Sequence, residues 1–401
     1  MDANSTFSLR LLSLTKDLRQ EILKRLKRPE ILCLRAVSQS FRNTIPLPPK
    51  PISPHPELVI PFCTHPDSST PIQLLLTVST VYAIQPIETT TNGDDQTNTW
   101  IVRLEELSSG VVRVKDTLYK FKQREVLSEL PRSLNMLDYR VQELSKVFGL
   151  VPVASEGGNR NIYLKKVVVS SYPDESNSGF TLLALTGQGI IIAWRKGDHI
   201  WNYIAIEGVD ETPKFEDIVY YNSKFYAVLS TCRVVTIDPL TLEVTKLKFR
   251  IEGYMPTVTG SRFLVKSSKD LFWICKCWSF LPAIDPGAYG TYVAIIKLDE
   301  KNNQWIQVNN ELEDEVLFIG EDCSFSLPGK GYTPCKPNTV YFIDEELAER
   351  GDRPGTDIGI LEVDSLTAKP IYAFPGYSKI FWPPPPWVRQ NESSSSSTDH
   401  E

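Results

Sequence analysis

The side chains that could carry bond chemistry in this chain are few and scattered. Four histidines, His55, His65, His199 and His400, lie in proline-rich, turn or tail contexts, with no spacing that would hold a metal ion. Cys275 and Cys277, in Trp-Ile-Cys-Lys-Cys-Trp, alternate with their neighbours as strand residues do. No second pair or nearby histidine completes a zinc site, so a buried pair on a strand is expected. Gly187-Gln-Gly189 and Gly329-Lys-Gly331 lack the strand-to-helix setting of a phosphate loop and read as hairpin turns. Glycoside cleavage needs two paired carboxylates, and the acids here fall mostly at the heads of turns. No catalytic constellation emerges, and no metal or cofactor is expected.

What the chain does offer is apolar surface near its amino end. Thr15 is placed to cap a helix, and Asp17 sits in its first turn, where a carboxylate favours the positive end of the helix dipole. Leu18, Ile22 and Leu26 recur every four residues with Leu23 beside them, and Arg19, Lys24, Arg25, Lys27 and Arg28 take the other sides. Pro29 ends that helix and starts the next, which carries Ile31, Leu32, Leu34 and Val37; a third piece ends in Phe41 and Ile45. Three short helices cannot cover so many apolar groups among themselves, and a unit of this size is near the lower limit for folding alone. Burying about six such side chains at about 1.5 to 3 kcal/mol each can exceed an association cost of about 4 to 15 kcal/mol if most engage. The segment reads as a docking module that waits for a partner.

Leu14, Asp17, Leu18, Ile22, Leu23, Arg25, Leu26, Leu34, Arg35, Val37, Ser40, Arg42 and Ile45 resemble the F-box pattern in order and spacing. Thr15 stands where that family usually has proline, and Phe41 where it usually has tryptophan. The resemblance implies a three-helix F-box over residues 10–46 that binds a Skp-family adaptor and, through it, a cullin. Its contact residues are then Leu14, Leu18, Ile22, Leu23, Leu26, Ile31, Leu34, Val37, Phe41 and Ile45.

The 401 residues exceed one ordinary core, so one small and one large domain is the simplest division. Residues 1 to 45 hold nine Lys or Arg against four acids, net +5, leaving -11 for the rest. These cations lie on the outer faces of short helices and read as solvated surface, so no nucleic-acid partner is expected. Seven cysteines, an odd number spread thinly, argue against a disulfide framework. No leader pattern or apolar run of membrane-spanning length is visible, so a reduced location in nucleus or cytoplasm, with no membrane partner, is expected. The prolines of residues 47–70 cannot continue a helix and read as a linker or first wrapping strand. The serine-rich residues 389–401 read as a disordered tail.

Between these ends the chain repeats itself. Five times an apolar strand closes on a polar residue and a Val, Trp or Pro opens the next strand six positions on: Glu105 to Val111, Arg195 to Trp201, Asp238 to Val244, Asp299 to Trp305 and Asp364 to Pro370. An acidic residue at a turn head can bond backbone two residues on, so each unit is a hairpin. Further strands precede them, giving about four per repeat, at gaps of 90, 43, 61 and 65 residues between turn heads. A four-stranded sheet with two apolar faces must be stacked on both sides, and ring closure removes exposed edges. The expected fold is therefore mainly β, with a small α domain ahead of a kelch-like β-propeller of five or six blades over residues 71–388. A two-sheet sandwich is the rival. Leu134, Leu137, Val141 and Leu144 stand at helical spacing and predict a helical insertion near 131–148.

Trp100-Ile-Val-Arg-Leu-Glu-Glu, Leu137-Asp-Tyr-Arg-Val-Gln-Glu-Leu, Lys224-Phe-Tyr-Ala-Val, Val340-Tyr-Phe-Ile-Asp, Asp357-Ile-Gly-Ile and Pro385-Pro-Trp-Val resemble the recurring stretches of plant F-box proteins with a C-terminal KIB-type β-propeller, the SKIP-type group. The resemblance implies a non-catalytic subunit of an SCF-type ubiquitin ligase whose propeller holds an unknown target protein. Arg195, His199, Tyr289, Tyr332 and Arg353 are turn or loop residues of types found among contact anchors and are the candidate target-binding positions. The alternatives are a kelch-like scaffold without ligase assembly and, with less support from the residues, a propeller hydrolase.

Overall fold

The computed structural model describes residues 58–62, 72–87, 99–106, 112–120, 138–153, 163–171, 179–206, 214–247, 260–280, 289–308, 312–332, 335–344, 358–363, 368–371, 380, 381 and 386–388, with Thr15, Leu18, Glu21, Asn43 and Ile45 near the amino end. After a short strand β1 (Val59–Phe62), the first unit comprises β2 (Ile72–Pro86), β3 (Trp100–Glu106), β4 (Val112–Lys115) and β5 (Tyr139–Pro152), paired in the order β4-β3-β2-β5. The second is β6 (Leu164–Val169), β7 (Thr181–Thr186), β8 (Ile191–Arg195) and β9 (Asn202–Tyr203). It joins the first through a single backbone pairing of Phe148 with Val167. The third is β10 (Phe215–Tyr221), β11 (Lys224–Leu229), β12 (Val234–Ile237) and β13 (Val244–Lys246). The fourth is β14 (Ser261–Lys266), β15 (Leu271–Phe280), β16 (Tyr289–Asp299) and β17 (Gln304–Gln307). The fifth is β18 (Glu315–Ile319), β19 (Ser324–Pro328), β20 (Thr339–Ile343), β21 (Ile358–Glu362) and β22 (Lys369–Pro370), ordered β19-β18-β20-β21-β22, with β18 and β20 parallel.

All five hairpins expected from the repeat are present, as β3–β4, β8–β9, β12–β13, β16–β17 and β21–β22. The turn chemistry is the expected one at two heads. Asp238 Oδ1 accepts the backbone N–H groups of Leu240 and Thr241 at 2.8 and 2.9 Å, and Asp299 Oδ1 those of Lys301 and Asn302 at 3.1 and 3.3 Å. These bonds, from Thr241 to Asp238 and from the Asn302 side chain to Asp299, hold both carboxyls below the usual carboxylate range. Gly187 to Gly189 forms the β7–β8 turn, and Gly189 has φ +81° with Phe215 O close against it, a position that favours glycine.

Strands such as β7, β12, β18 and β20 are mostly apolar and buried along nearly their whole length because both faces are covered. One apolar core fills each interface between neighbouring units. Leu182 and Trp194 meet Ile60 and Leu76 between units one and two, and Leu183 and Ile191 meet Phe225 and Ile237 between two and three. Val228 meets Trp273 and Trp305 between three and four, and Ile274 and Ile295 meet Leu317 and Phe342 between four and five. Val81 and Ile101 of unit one meet Phe318 and Tyr341 of unit five. At the strand level β5 touches β6, β6 touches β10, β10 touches β14, β14 touches β19 and β19 touches β5, so the contacts close a cycle. A two-sheet sandwich has one such interface, and this arrangement excludes it.

Over the described part of 131–148 the expected helix is replaced by strand: residues 139–152 are β5, paired with β2 along its length. The register slips between Val81 and Tyr82, so that Leu144 is an extra residue bulged out of the ladder. That bulge breaks the two-residue alternation and places Val141, Leu144 and Val147 three apart, which mimics a helical stripe. Leu134 and Leu137 lie outside the described residues, as does the tail beyond Val388. Of the amino-terminal cassette, Leu18, Glu21 and Asn43 have helical backbone, and its other expected helical positions lie outside the described residues. Thr15 Oγ1 accepts the Leu18 N–H at 3.5 Å, the bond an N-cap makes to the third residue of its helix.

The seam between the first and last units is closed by a buried ion pair. Arg103 donates from Nη1 and Nη2 to the two carboxylate oxygens of Asp322 at 2.7 and 2.9 Å, and from Nε to Ser79 Oγ at 2.8 Å. The two side chains are 3% and 4% exposed. Burial pushes the Asp322 carboxyl up, but Arg103 outweighs it and leaves the carboxyl below its usual range. A group depressed in this way contributes stability above its unfolded value, and that stability is lost as pH falls through the folded one. Arg103→Leu should lower stability by about 3 to 5 kcal/mol by stranding Asp322, whereas the double variant with Asp322→Leu should recover most of it. Thermal melts of the three variants check this; a double variant less stable than Arg103→Leu contradicts it.

Candidate functional site

The sequence-derived target positions that the structure describes lie on different elements. Arg195 ends β8 and is held by its own turn, with Nε bonded to Asp198 Oδ2 at 3.2 Å and Nη1 to Leu240 O at 2.9 Å. His199 is an exposed turn residue on the same hairpin. Tyr332 is a core residue rather than a surface anchor: it is 3% exposed, its ring lies in the core between units one and five, and its hydroxyl donates to Gln142 Oε1. Tyr289 begins β16 opposite Phe280, and Arg353 lies outside the described residues. Among the adaptor positions, Leu18 is 54% exposed, whereas Ile45 is 1% exposed and offers a partner almost no surface. Leu14, Ile22, Leu23, Leu26, Ile31, Leu34, Val37 and Phe41 lie outside the described residues.

A cleft of about 820 Å³ does form elsewhere, where turns of the third and fourth units meet the entry to β18. Its first wall is the β10–β11 turn. Asn222 and Ser223 both have positive φ, 44° and 63°, as a two-residue hairpin turn requires, and asparagine tolerates that backbone well. Asn222 then reaches across to the fourth unit and donates to Glu300 Oε1 at 2.7 Å. Beside it, the Tyr221 hydroxyl donates to the backbone oxygen of Lys269 at 3.0 Å, in the β14–β15 turn. The second wall is the end of β16 and the outermost strand β17, which among the described strands pairs with β16 alone. Ile306 stands on β17 in this wall at 48% exposure, a large apolar group left facing water.

Charge in the cleft is organised by one lysine. Lys297 Nζ lies 2.6 Å from Glu313 Oε1 and 3.2 Å from Asp270 Oδ1. Burial pulls its ammonium down, but the two carboxylates outweigh that and hold it above the ordinary lysine value, while Lys297 in turn holds Glu313 below the usual carboxylate range. Asp299 and Glu300 lack an ion-pair partner among the described residues. At that end of the cleft the phenol of Tyr221 is pushed well above its ordinary value, first by burial and then by the anions Glu300 and Asp270. Tyr226 packs edge-on to Tyr221 with ring centroids 6.0 Å apart. Of these residues only Asp299 was marked by the sequence, as a turn head; Tyr221, Asn222 and Glu300 come from two units and share no local signal.

Among the described residues no group of His, Cys, Asp or Glu could hold a metal ion. Cys275 and Cys277 lie on β15, 1% and 6% exposed, and burial pushes the Cys275 thiol up to about 12. Such thiols are poor nucleophiles and poor ligands.

Comparison with known proteins gives two family matches. Residues 42–362 match the family described as KIB1-4 beta-propeller, and residues 11–52 match the F-box domain. F-box protein SKIP23 of Arabidopsis thaliana is 26% identical over 405 aligned residues, covering 94% of this chain and 95% of that protein. F-box protein At2g17036 of the same plant is 25% identical, covering 72% of this chain and 76% of its own.

The Tyr221 environment predicts a spectroscopic result. Replacing Tyr221 by Phe should remove no amplitude from the tyrosinate absorbance that develops between about pH 9.5 and 10.5, because this phenol ionises above that window. A drop of one tyrosine's worth of signal there contradicts the assignment.

Proposed function

We propose, from the premise that this chain belongs to the KIB1-4 β-propeller family and carries an F-box domain, that it is the target-recognition subunit of an SCF-type ubiquitin ligase. The observation that carries this reading is the union of the two matches in one chain, in the same order as in a relative aligned over nearly its full length. The division we assign is an F-box over 10–46, a proline-rich segment over 47–70 that includes β1, a propeller over 71–388 and a tail over 389–401. The five units and their closed cycle of contacts support a count of five blades.

In this reading the protein breaks and forms no bonds itself. The F-box binds a Skp-family adaptor and through it a cullin, the propeller binds a target protein, and tethering both raises the target's effective concentration near the ubiquitin-loaded enzyme. The 54% exposure of Leu18 on a capped helical turn supports an amino-terminal stripe that is open to an adaptor. Thr15 supports it too, because it supplies a cap at the position where the family usually has proline. Nucleus or cytoplasm, where adaptor and cullin would be met, is the location that goes with it. The scaffold reading keeps the propeller and drops the adaptor, and one experiment separates the two.

Leu18→Asp with Leu26→Asp should abolish co-purification of a Skp-family adaptor and leave the melting temperature of the β domain unchanged. A charge placed in an apolar contact costs several kcal/mol, enough to remove a micromolar complex. Unchanged adaptor binding, or an absence of adaptor binding in the parent protein, overturns the ligase reading.

A further inference from the structure

The target-binding function proposed above leaves open which surface takes the target and what chemistry the target presents. The cleft beside β17 carries an answer to both, and the inference rests on that reading. We propose that this cleft is the target-docking surface and that its occupant is an extended segment of the target polypeptide bearing a Lys or Arg flanked by aliphatic residues.

Three observations point the same way. First, the corner made by Tyr221 and Glu300 has the parts that receive a cationic side chain: an aromatic ring, backed edge-on by the buried Tyr226, at one wall and a carboxylate at the other. Glu300 is fixed there by Asn222 at 2.7 Å, so the receiving group is already in place before a ligand arrives. Second, the cleft also holds Lys269 and Lys301, yet neither forms an ion pair with Glu300 or Asp299. Lys297 is bonded to Asp270 and Glu313, so Glu300 and Asp299, hydrogen-bonded but in no ion pair among the described residues, keep their charge for an incoming cation. The displacement of the Tyr221 phenol by Glu300 and Asp270 reports the same negative field. Third, Ile306 is 48% exposed in the cleft wall on β17, the outermost strand of its sheet. An extended peptide running along that edge could pair backbone to backbone and set every second side chain against Ile306, which is how a strand is added to a sheet.

The occupant follows from the combination. A nucleic acid is repelled by Asp299 and Glu300, and a small apolar ligand leaves those two acids without a counter-charge. An extended basic and aliphatic segment satisfies both the acidic corner and the exposed isoleucine. The cleft is walled by turns that join adjacent strands, residues 222–223 and 299–303 among them.

The test uses the full chain purified with its adaptor and three labelled peptides of equal length, alternating Lys with Val, Gln with Val and Glu with Val, read by fluorescence anisotropy. The Lys peptide should bind saturably and weaken as salt rises, and the Glu peptide should not bind. Glu300→Gln, which keeps an acceptor for Asn222, should weaken the Lys peptide about fivefold, and Ile306→Ser should weaken it too. Leu240→Ser, at an exposed turn outside the cleft, should change nothing. Melting temperatures equal to the parent keep these effects from being read as unfolding. Tighter binding of the Glu peptide, no saturable binding of the Lys peptide, or an unchanged affinity in Glu300→Gln overturns the proposal. Adaptor content of the same preparation is measured in parallel, so loss of peptide binding with adaptor retained sinks the cleft alone, and loss of adaptor sinks the ligase reading alone.

Discussion

Each sheet in this chain is apolar on both faces, and the need to cover both at once is what forces the units into a closed cycle. Five interfaces hold five apolar cores, and the free energy of the fold resides there. Apolar cores are poor at specifying which unit sits next to which, because one greasy face fits another of similar size. A cation marks each junction instead. Lys120 of the first unit donates to backbone oxygens of Leu164 and Lys165, and Lys166 of the second pairs with Asp217 at 2.7 Å. Arg262 of the fourth pairs with Glu216 of the third at 2.8 Å, Lys276 donates to Ile343 O of the fifth at 2.7 Å, and Arg103 of the first meets Asp322 of the fifth. Buried pairs add little net stability because desolvation offsets their attraction, yet a wrong neighbour would leave a charge unmatched at a cost of several kcal/mol.

Asp217 shows how tightly these junctions are drawn. Its carboxylate accepts from Lys166 Nζ on β6 and from the Leu264 N–H on β14, at 2.7 Å each, as well as from the neighbouring Ile218 N–H at 2.8 Å. One side chain thus gathers three innermost strands, and it stands beside the residue where the β10–β11 register slips. A frame held this way at its centre leaves the turns between strands free to differ without cost to the core, which is where a recognition surface can be built. The cleft at the third and fourth units uses that freedom, with Asn222 and Glu300 bridging two units as the buried pairs do nearer the axis.

Several of these features were legible in the residues alone. The five hairpins showed because a turn head with an acid or polar side chain leaves a local signature, and the six-residue offset repeats it. The paired cysteines showed as strand residues because alternation is local as well. The helix expected near 131–148 gives way to strand from Tyr139 onward for a physical reason: one bulged residue at Leu144 shifts the alternation and counterfeits a helical period. Tyr332 misled in the opposite sense. Its Gly-Tyr-Thr-Pro surroundings read as an exposed loop, but that loop covers the seam between units one and five, so its ring is core. The cleft left no trace because its walls come from residues as far apart as Tyr221 and Glu313.

The sequence by itself determined the mainly β class of fold and the repeated hairpins, since each depends on neighbours a few positions apart. Only the tertiary structure decided which units touch, which charges are buried against one another, which aromatic rings are surface and which are core, and where a cleft opens. Those outcomes depend on contacts between residues tens to hundreds of positions apart, such as Arg103 and Asp322, and they exist only when all the sheets have closed on one another.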